Sequence, residues 1–362
     1  MALFPSRTIA WYAAKMFVMR TAAFLIGLII ILESLDLLGE SGKILAVAGN
    51  GEAELWTYVS LRVPQLIQLF LPFSVLLATL VTLATLNQNS EVVIFKAAGL
   101  SAHHILLPLI IASLVIAIGN FAFNEGVTTR ATRQLKVWQE NSYARVPPEK
   151  LLITESWVRA GNDLFHAESV AGSGDGTRLS GVTIYDRQDD RLVRVIMAAT
   201  ARPVAGGWQL ANVSSFDVGA GRRTAEAAMR FETEVVPRQF TTAAIDPAFL
   251  PLWELVPQIS EQRAAGKPVD TLVAAAWHKI SGPLSTVLMP LLGAVAAFGL
   301  ARSGRLFVRA VIGMFLGFAF FVADNFMLAM GNFGTVPPLM AAWAPFLLFL
   351  LIGEAVLIRT EE

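Results

Sequence analysis

Six runs of about twenty apolar residues punctuate this 362-residue chain, and a soluble core has no use for so many. A helix needs roughly 20 mostly apolar residues to cross a bilayer, because in hydrocarbon every backbone polar group must be satisfied within the segment. The runs are Met16 to Leu38, Val63 to Leu86, about Ile105 to Phe123, Val273 to Leu300, Val308 to Met330 and Leu339 to Ile358. The first carries Arg20 near one end and Glu33 and Asp36 near the other; the second contains Pro64 and Pro72. Only 15% of residues are charged, against about 25% in soluble domains. The net charge is zero, which leaves no electrostatic footprint for nucleic acid. Cysteine is absent, so disulfides, thiol catalysis and cysteine-based metal sites are excluded. No small-residue cleavage site follows the first apolar run, which is therefore expected to stay as a helix and not to be removed as a signal peptide.

Basic residues beside the spans set orientation. Arg7 and Lys15 precede the first span, Arg302, Arg305 and Arg309 follow the fourth, and Arg359 follows the last. With six spans these clusters fall on one side, the expected cytoplasmic side, together with both termini. The loop after the first span is acidic instead, with Glu40, Glu52 and Glu54 against Lys43 and Arg62. Arg130, Arg133 and Lys136 lie on the opposite side, but long segments translocate largely regardless of charge.

The stretch from about Asn124 to Asp270 changes character. Thr128 to Glu140 can continue the third helix outward. From Lys150 short alternating runs such as LLITESWVRA, DLFHAESV, LSGVTIYDR, RLVRVIMAAT and MRFETEVV are separated by turn clusters, AGSGDG and DRQDD among them. Short strands at this spacing predict an all-β sandwich or open barrel. Pro251 to Pro268 reads as a short amphipathic helix leading back to the membrane. The expected fold class is thus a membrane α-helical protein with six transmembrane helices and an inserted extracytoplasmic all-β domain. Residues 1–124 hold helices one to three, 125–270 the β domain with helical flanks, and 271–362 helices four to six.

No GxxxxGK[ST], HExxH or GxSxG motif is present, and the four histidines are scattered, so neither a catalytic set nor a metal site is expected. The loop between spans two and three is more informative. Ser90 suits an N-cap and Glu91 a first helical turn; Val92, Val93, Phe95 and Lys96 continue a helix that Gly99 would stop, giving a short amphipathic element over about 90–101. It reads equally as an interfacial connector or as a docking helix for a partner, with Glu91, Val92, Phe95, Lys96 and Gly99 as its contact set. Within the spans, Lys279 and Asp324 lie at matching depth from the outer side, which suggests an intramembrane ion pair, with separate snorkelling as the alternative.

Four stretches then carry a resemblance: SEVVIFKAAGLS in the loop, LSGVTIYDRQDDRLVRVIMAATARP in the β segment, WHKISGPLSTVLMPLLG in span four, and VRAVIGMFLGFAFFVADNFMLAMGNFGTVPPLMAAWAP across spans five and six. They resemble the permease subunits of the lipopolysaccharide-export ABC transporter, the LptF/LptG family, and the last stretch sides with the LptG branch over the LptF branch. The resemblance implies a transporter membrane subunit with no cofactor of its own, ATP being bound by an LptB-like ATPase dimer that grips the short helix at Glu91. It implies as partners an LptF-like permease, an LptC-like single-span protein and a periplasmic jellyroll bridge. Lipopolysaccharide would be taken from the bacterial inner membrane into a jellyroll-like β domain in the periplasm and passed toward the outer membrane. Members of the family carry basic residues near the outer end of span one; here Glu33 and Asp36 stand there, so no lipid-phosphate contact is carried over.

A lipid crossing water needs a continuous apolar surface. The strands offer Phe165, Val182 with Ile184, Val193 with Val195 and Met197, Trp208 with Leu210, and Phe231 together with Met229. Alternation alone fits a closed β core at least as well; the resemblance favours an open groove built from these residues. Two other classes stay in view. An intramembrane enzyme would need catalytic groups at one depth, and an ATP-independent secondary transporter would show inverted repeats, which the prolines and charges of the two halves do not match.

Overall fold

The computed structural model describes residues 7–144, 153–160, 163–171, 176–188, 191–233, 235–237, 240, 247–264, 268–299 and 306–359. The turn residues 172–175 and 189–190 and the basic residues Arg302 and Arg305 lie outside the described residues. All six apolar runs are helices long enough to cross a membrane. The helices are α1 (Arg7–Leu45), α2 (Glu52–Gln88), α3 (Glu91–Ala97), α4 (Ala102–Phe123), α5 (Thr129–Glu140), α6 (Leu252–Ala264), α7 (Asp270–Ala294), α8 (Leu306–Asn332) and α9 (Pro338–Arg359). The spans are α1, α2, α4, α7, α8 and α9, and most run past their apolar stretch, since helix hydrogen bonding continues where hydropathy ends. The chain is therefore a multi-pass membrane protein with an inserted β domain.

Two compact units form: residues 1–136 with 247–362, and residues 137–246. The β unit is tighter than the 125–270 segment read from the sequence. The returning flank α6 and α5 up to Lys136 belong with the membrane helices, where Glu125 and Leu255 are buried.

In the helical unit, α7 is the most enclosed span and α1 the least. Val75, Leu83, Leu86, Leu106, Leu109 and Leu292 centre its core. Glycines let the helices approach closely, as membrane packing requires. A Cβ added to Gly353 of α9 would lie 2.6 Å from Leu291 Cδ2 of α7, and one on Gly293 would lie 2.7 Å from Thr79 Cγ2 of α2. Pro64, Pro72, Pro108, Pro283, Pro290 and Pro345 all sit inside spans. Neighbouring helices make such breaks tolerable in lipid.

The β unit is one antiparallel sheet of six strands, β1 (Ile153–Ala160), β2 (Asp163–Ala171), β3 (Arg178–Gln188), β4 (Arg191–Val204), β5 (Gly207–Asp217) and β6 (Arg222–Glu232). Its order is sequential, β1-β2-β3-β4-β5-β6. The expected β domain is present, and among the described residues its strands follow one another without the Greek-key crossings of a jelly roll. Every strand pair skips one position along a common row. Ala167 pairs with Val182 and Ser169 with Ser180, leaving out Glu168 and Gly181; the row continues through Ala199, Asn212 and Ala227. Gly181 (φ 60°) and Asn212 (φ 54°) take the left-handed backbone there, which glycine and asparagine tolerate best. Across this crease the buried residues on β2 to β5 are three apart instead of two: Ala167 and Val170, Leu179 and Val182, Ala198 and Ala201, Leu210 and Val213. The crease lets the sheet bend while one face stays inward, and the sheet rolls until Phe165 of β2 meets Phe231 of β6 with ring centroids 5.6 Å apart. Among the described residues the edge strands β1 and β6 are not paired with each other, so the described strands form an open roll.

Candidate functional site

Three places hold the residues singled out in the sequence. The first is the loop joining α2 to α4. Its helix, α3, is seven residues long. Ser90 precedes it in the left-handed region (φ 58°, ψ 13°) and makes no side-chain cap, so the expected hydroxyl N-cap is absent; Asn89 Nδ2 donates to the Glu91 carboxylate instead at 3.1 Å. The glycine stop is as expected. Gly99 has φ 83°, Gly99 N–H donates to the Lys96 carbonyl and Leu100 N–H to the Phe95 carbonyl, a Schellman arrangement. The faces of α3 differ from the contact set read from the sequence. Val92 is buried and Phe95 packs partly buried against the helical core, whereas Val93 and Ile94 are each 62% exposed. A helix this short can turn only one face inward, and Val92 and Phe95, three apart, form it. Sequence reasoning missed Val93 and Ile94 as the outward apolar pair, although helical spacing from Val92 could have found them.

The second place is the N-terminal half of α7. Lys279 and Asp324 do not pair with each other, which corrects the expected ion pair. Lys279 Nζ donates to Glu125 Oε1 at 3.1 Å, and His278 Nε2 hydrogen-bonds Asp324 Oδ2 at 2.9 Å. Neighbouring residues on a helix point about 100° apart. His278 therefore faces α8, and Lys279 faces the short π-helical turn Asn124–Thr128 that ends the third span. Lys279 adjoins the residue that does bond Asp324, so azimuth decides the partner. Glu125 was overlooked because it stands just past the apolar run. Its side chain is 3% exposed and that of Lys279 is 9% exposed. The Glu125 carboxylate also accepts the N–H of Leu252, the first residue of α6.

The third is the rolled sheet. Of the nine proposed lipid-path residues, Phe165, Val182, Ile184, Trp208, Leu210 and Phe231 line its inner face and are buried. Val193, Val195 and Met197 are on the other face, a correction to the single surface read from the sequence. Alternation along β4 was right, but the register couples Ile184 to Ile196 and Val182 to Ala198, so Ile196 and Ala198 face inward. Met197 is 38% exposed, and Val195 lies between Tyr185 and Phe216 on the outer face. Leu179-Ser-Gly-Val182 and Leu210-Ala-Asn-Val213, each with apolar residues three apart around glycine or asparagine, are the sequence signal of the crease. Inside the roll, Trp208 Nε1–H donates to the Val235 carbonyl and Ser156 Oγ–H to the Phe240 carbonyl, both at 2.9 Å. The Phe240 ring meets Phe165 and Trp208 edge-on, with centroids 6.2 and 5.3 Å away.

The sequence that forms these six spans, the loop helix and the β roll is similar to known proteins. The chain matches the family described as lipopolysaccharide export system permease LptF/LptG over residues 11–359. It is 28% identical over 353 residues to the lipopolysaccharide export system permease protein LptG of Escherichia coli K12, covering 94% of each chain. The protein of the same name from Haemophilus influenzae is 25% identical over 331 residues, covering 87% of this chain and 89% of that one. A match that includes the spans, the loop helix and the β roll together shows that the chain belongs to the LptF/LptG family of lipopolysaccharide-export permeases.

Proposed function

We propose that this permease is coupled to a partner ATPase dimer through α3, pairs with a second permease of its family, and delivers lipopolysaccharide into its own β roll. In this reading both termini and α3 face the cytoplasm of the bacterium and the β unit stands in the periplasm, where a single-span protein and a jellyroll bridge receive the lipid. Arg7, Lys15 and Arg359, all at the α3 end of their spans, support that orientation. The observation that carries the coupling is the outward face of α3. Val92 and Phe95 hold the helix to the core while Val93 and Ile94, each 62% exposed, present an apolar surface that a partner would cover. The exposed apolar faces of α1 and α8, such as Ile30, Leu35, Phe315 and Phe326, are suited to a second permease or to acyl chains. The open seam between β1 and β6 favours lipid passage through the roll. Its interior is filled by the protein's own side chains, Phe240 included, so passage requires Val235 and Phe240 to yield.

The test is Ile94→Glu in the complex purified with its ATPase. A charge in an apolar contact should strip the ATPase during copurification and abolish lipid-stimulated ATP hydrolysis, with the chain itself still inserted. Full copurification and full stimulation would refute coupling through α3.

A further inference from the structure

The buried pair Glu125–Lys279 stands where the chain leaves the helical unit and where it comes back. Span three runs through the π-helical turn Asn124–Thr128 into α5 and on toward β1; α6 leads from the strands back to α7. Glu125, in that turn, bonds Lys279 of α7 on one side and the Leu252 N–H at the start of α6 on the other. One carboxylate thus ties together the departing segment, the returning segment and the fourth span. π-Helical turns are rare and concentrate at functional positions. An apolar pair of the same size would hold two helices at least as well as a buried ion pair. What it could not do is accept the free N–H at the N-terminus of α6, where an anionic group is also favoured by the helix dipole. A carboxylate buried this deeply needs a cation beside it, and Lys279 supplies one.

We propose that Glu125 and Lys279 are positioning residues for lipid transfer. They clamp the two chain segments that carry the β unit to the outer end of α7, so that motion of the spans is passed on to the roll. The proposal rests on the reading that lipid enters the roll. The test uses the full complex in liposomes with rough-type lipopolysaccharide. Two readouts are taken: ATP hydrolysed, and ATP-dependent photo-crosslinking of the lipid to a reactive residue at Phe231. Lys279→Met should lower crosslinking per ATP by about tenfold or more, the factor expected from losing a charge-assisted hydrogen bond, while Lys279→Arg keeps the wild-type ratio. Glu125→Gln combined with Lys279→Met replaces the pair by neutral groups of similar size, avoids a lone buried charge, and should show the same loss. An unchanged ratio in the double variant would overturn the clamp. So would a parallel fall in ATP hydrolysis, crosslinking and thermal stability, which marks a merely structural pair. Absence of crosslinking in the wild-type complex would overturn the lipid path itself, and the delivery role with it.

Discussion

Ile196→Glu and Val195→Glu alter adjacent residues of β4 with opposite expected outcomes. Ile196 is 0% exposed and pairs across the strands with Ile184, also 0% exposed. Replacing it forfeits about 1.5–3 kcal/mol of apolar burial. Holding a carboxyl neutral at pH 7 from its ordinary value near 4.3 costs about 3.7 kcal/mol more. The combined cost of about 5–7 kcal/mol matches the whole stability of a small domain, about 5–15 kcal/mol. Val195 sits on the outer face between Tyr185 and Phe216. There the carboxylate reaches water, and the loss is a cross-strand contact of about 1 kcal/mol. The assay is pulse proteolysis of the full-length protein in detergent along a urea series, with cleavage sites within the β unit mapped by mass spectrometry as a second probe. The β unit of Ile196→Glu should be cleaved without denaturant, whereas Val195→Glu should shift the midpoint only slightly. Equal sensitivity of the two variants would refute the register and the inward face drawn from it.

Asn212→Gly should leave stability near wild type, whereas Asn212→Val, a branched residue at φ 54°, should cost about 1–3 kcal/mol in a denaturant series; equal midpoints would count against the crease. Gly353→Val pushes a branched side chain toward Leu291, where even a Cβ would sit 2.6 Å from Cδ2, and should lower the thermal midpoint of the purified protein by an overpacking cost of about 1–3 kcal/mol. Because the chain has no cysteine, single cysteines report topology without background: one at exposed Ala220 should react with an impermeant reagent added outside intact cells lacking an outer membrane, and one at exposed Ala98 should not. Labelling of Ala98 but not of Ala220 would invert the orientation.

The spans were legible because hydrocarbon imposes one pattern, twenty apolar residues, that nothing in a soluble core imitates. Gly99 was legible because a left-handed stop has few residue choices, and the strands because alternation repeats at each turn. What escaped was azimuth and register. Hydropathy suggests a common depth for Lys279 and Asp324, but their partners depend on a 100° rotation and, for Lys279, on Glu125, more than 150 positions away in the chain. The inward face of β4 is set by pairing with β3, because Val195 and Met197 are about as apolar as Ile196 and Ala198 and alternation has no preferred sign. On α3, Val92 and Val93 are the same residue type, and only the packing of the spans decides which one is covered.

The acidic C-terminal end of α1 bears on what an anionic group would meet there. Counted as sequence, Glu33, Asp36 and Glu40 make a wall that should repel phosphate. In the structure each is already committed or hidden. Asp36 accepts Arg62 Nε–H at 2.9 Å and the Tyr58 hydroxyl at 2.6 Å, and Tyr58 is itself buried. Glu40 accepts Lys43 Nζ at 2.8 Å. Glu33 is 7% exposed, so its side chain is withdrawn from the outer surface of the span. Opposite charges a few ångströms apart cancel beyond about 8–10 Å in physiological salt. At that range the loop therefore presents Arg62 and Lys43 as strongly as the carboxylates beside them. Repulsion by Asp36 and Glu40 is therefore no reason to exclude a phosphate from this end of α1.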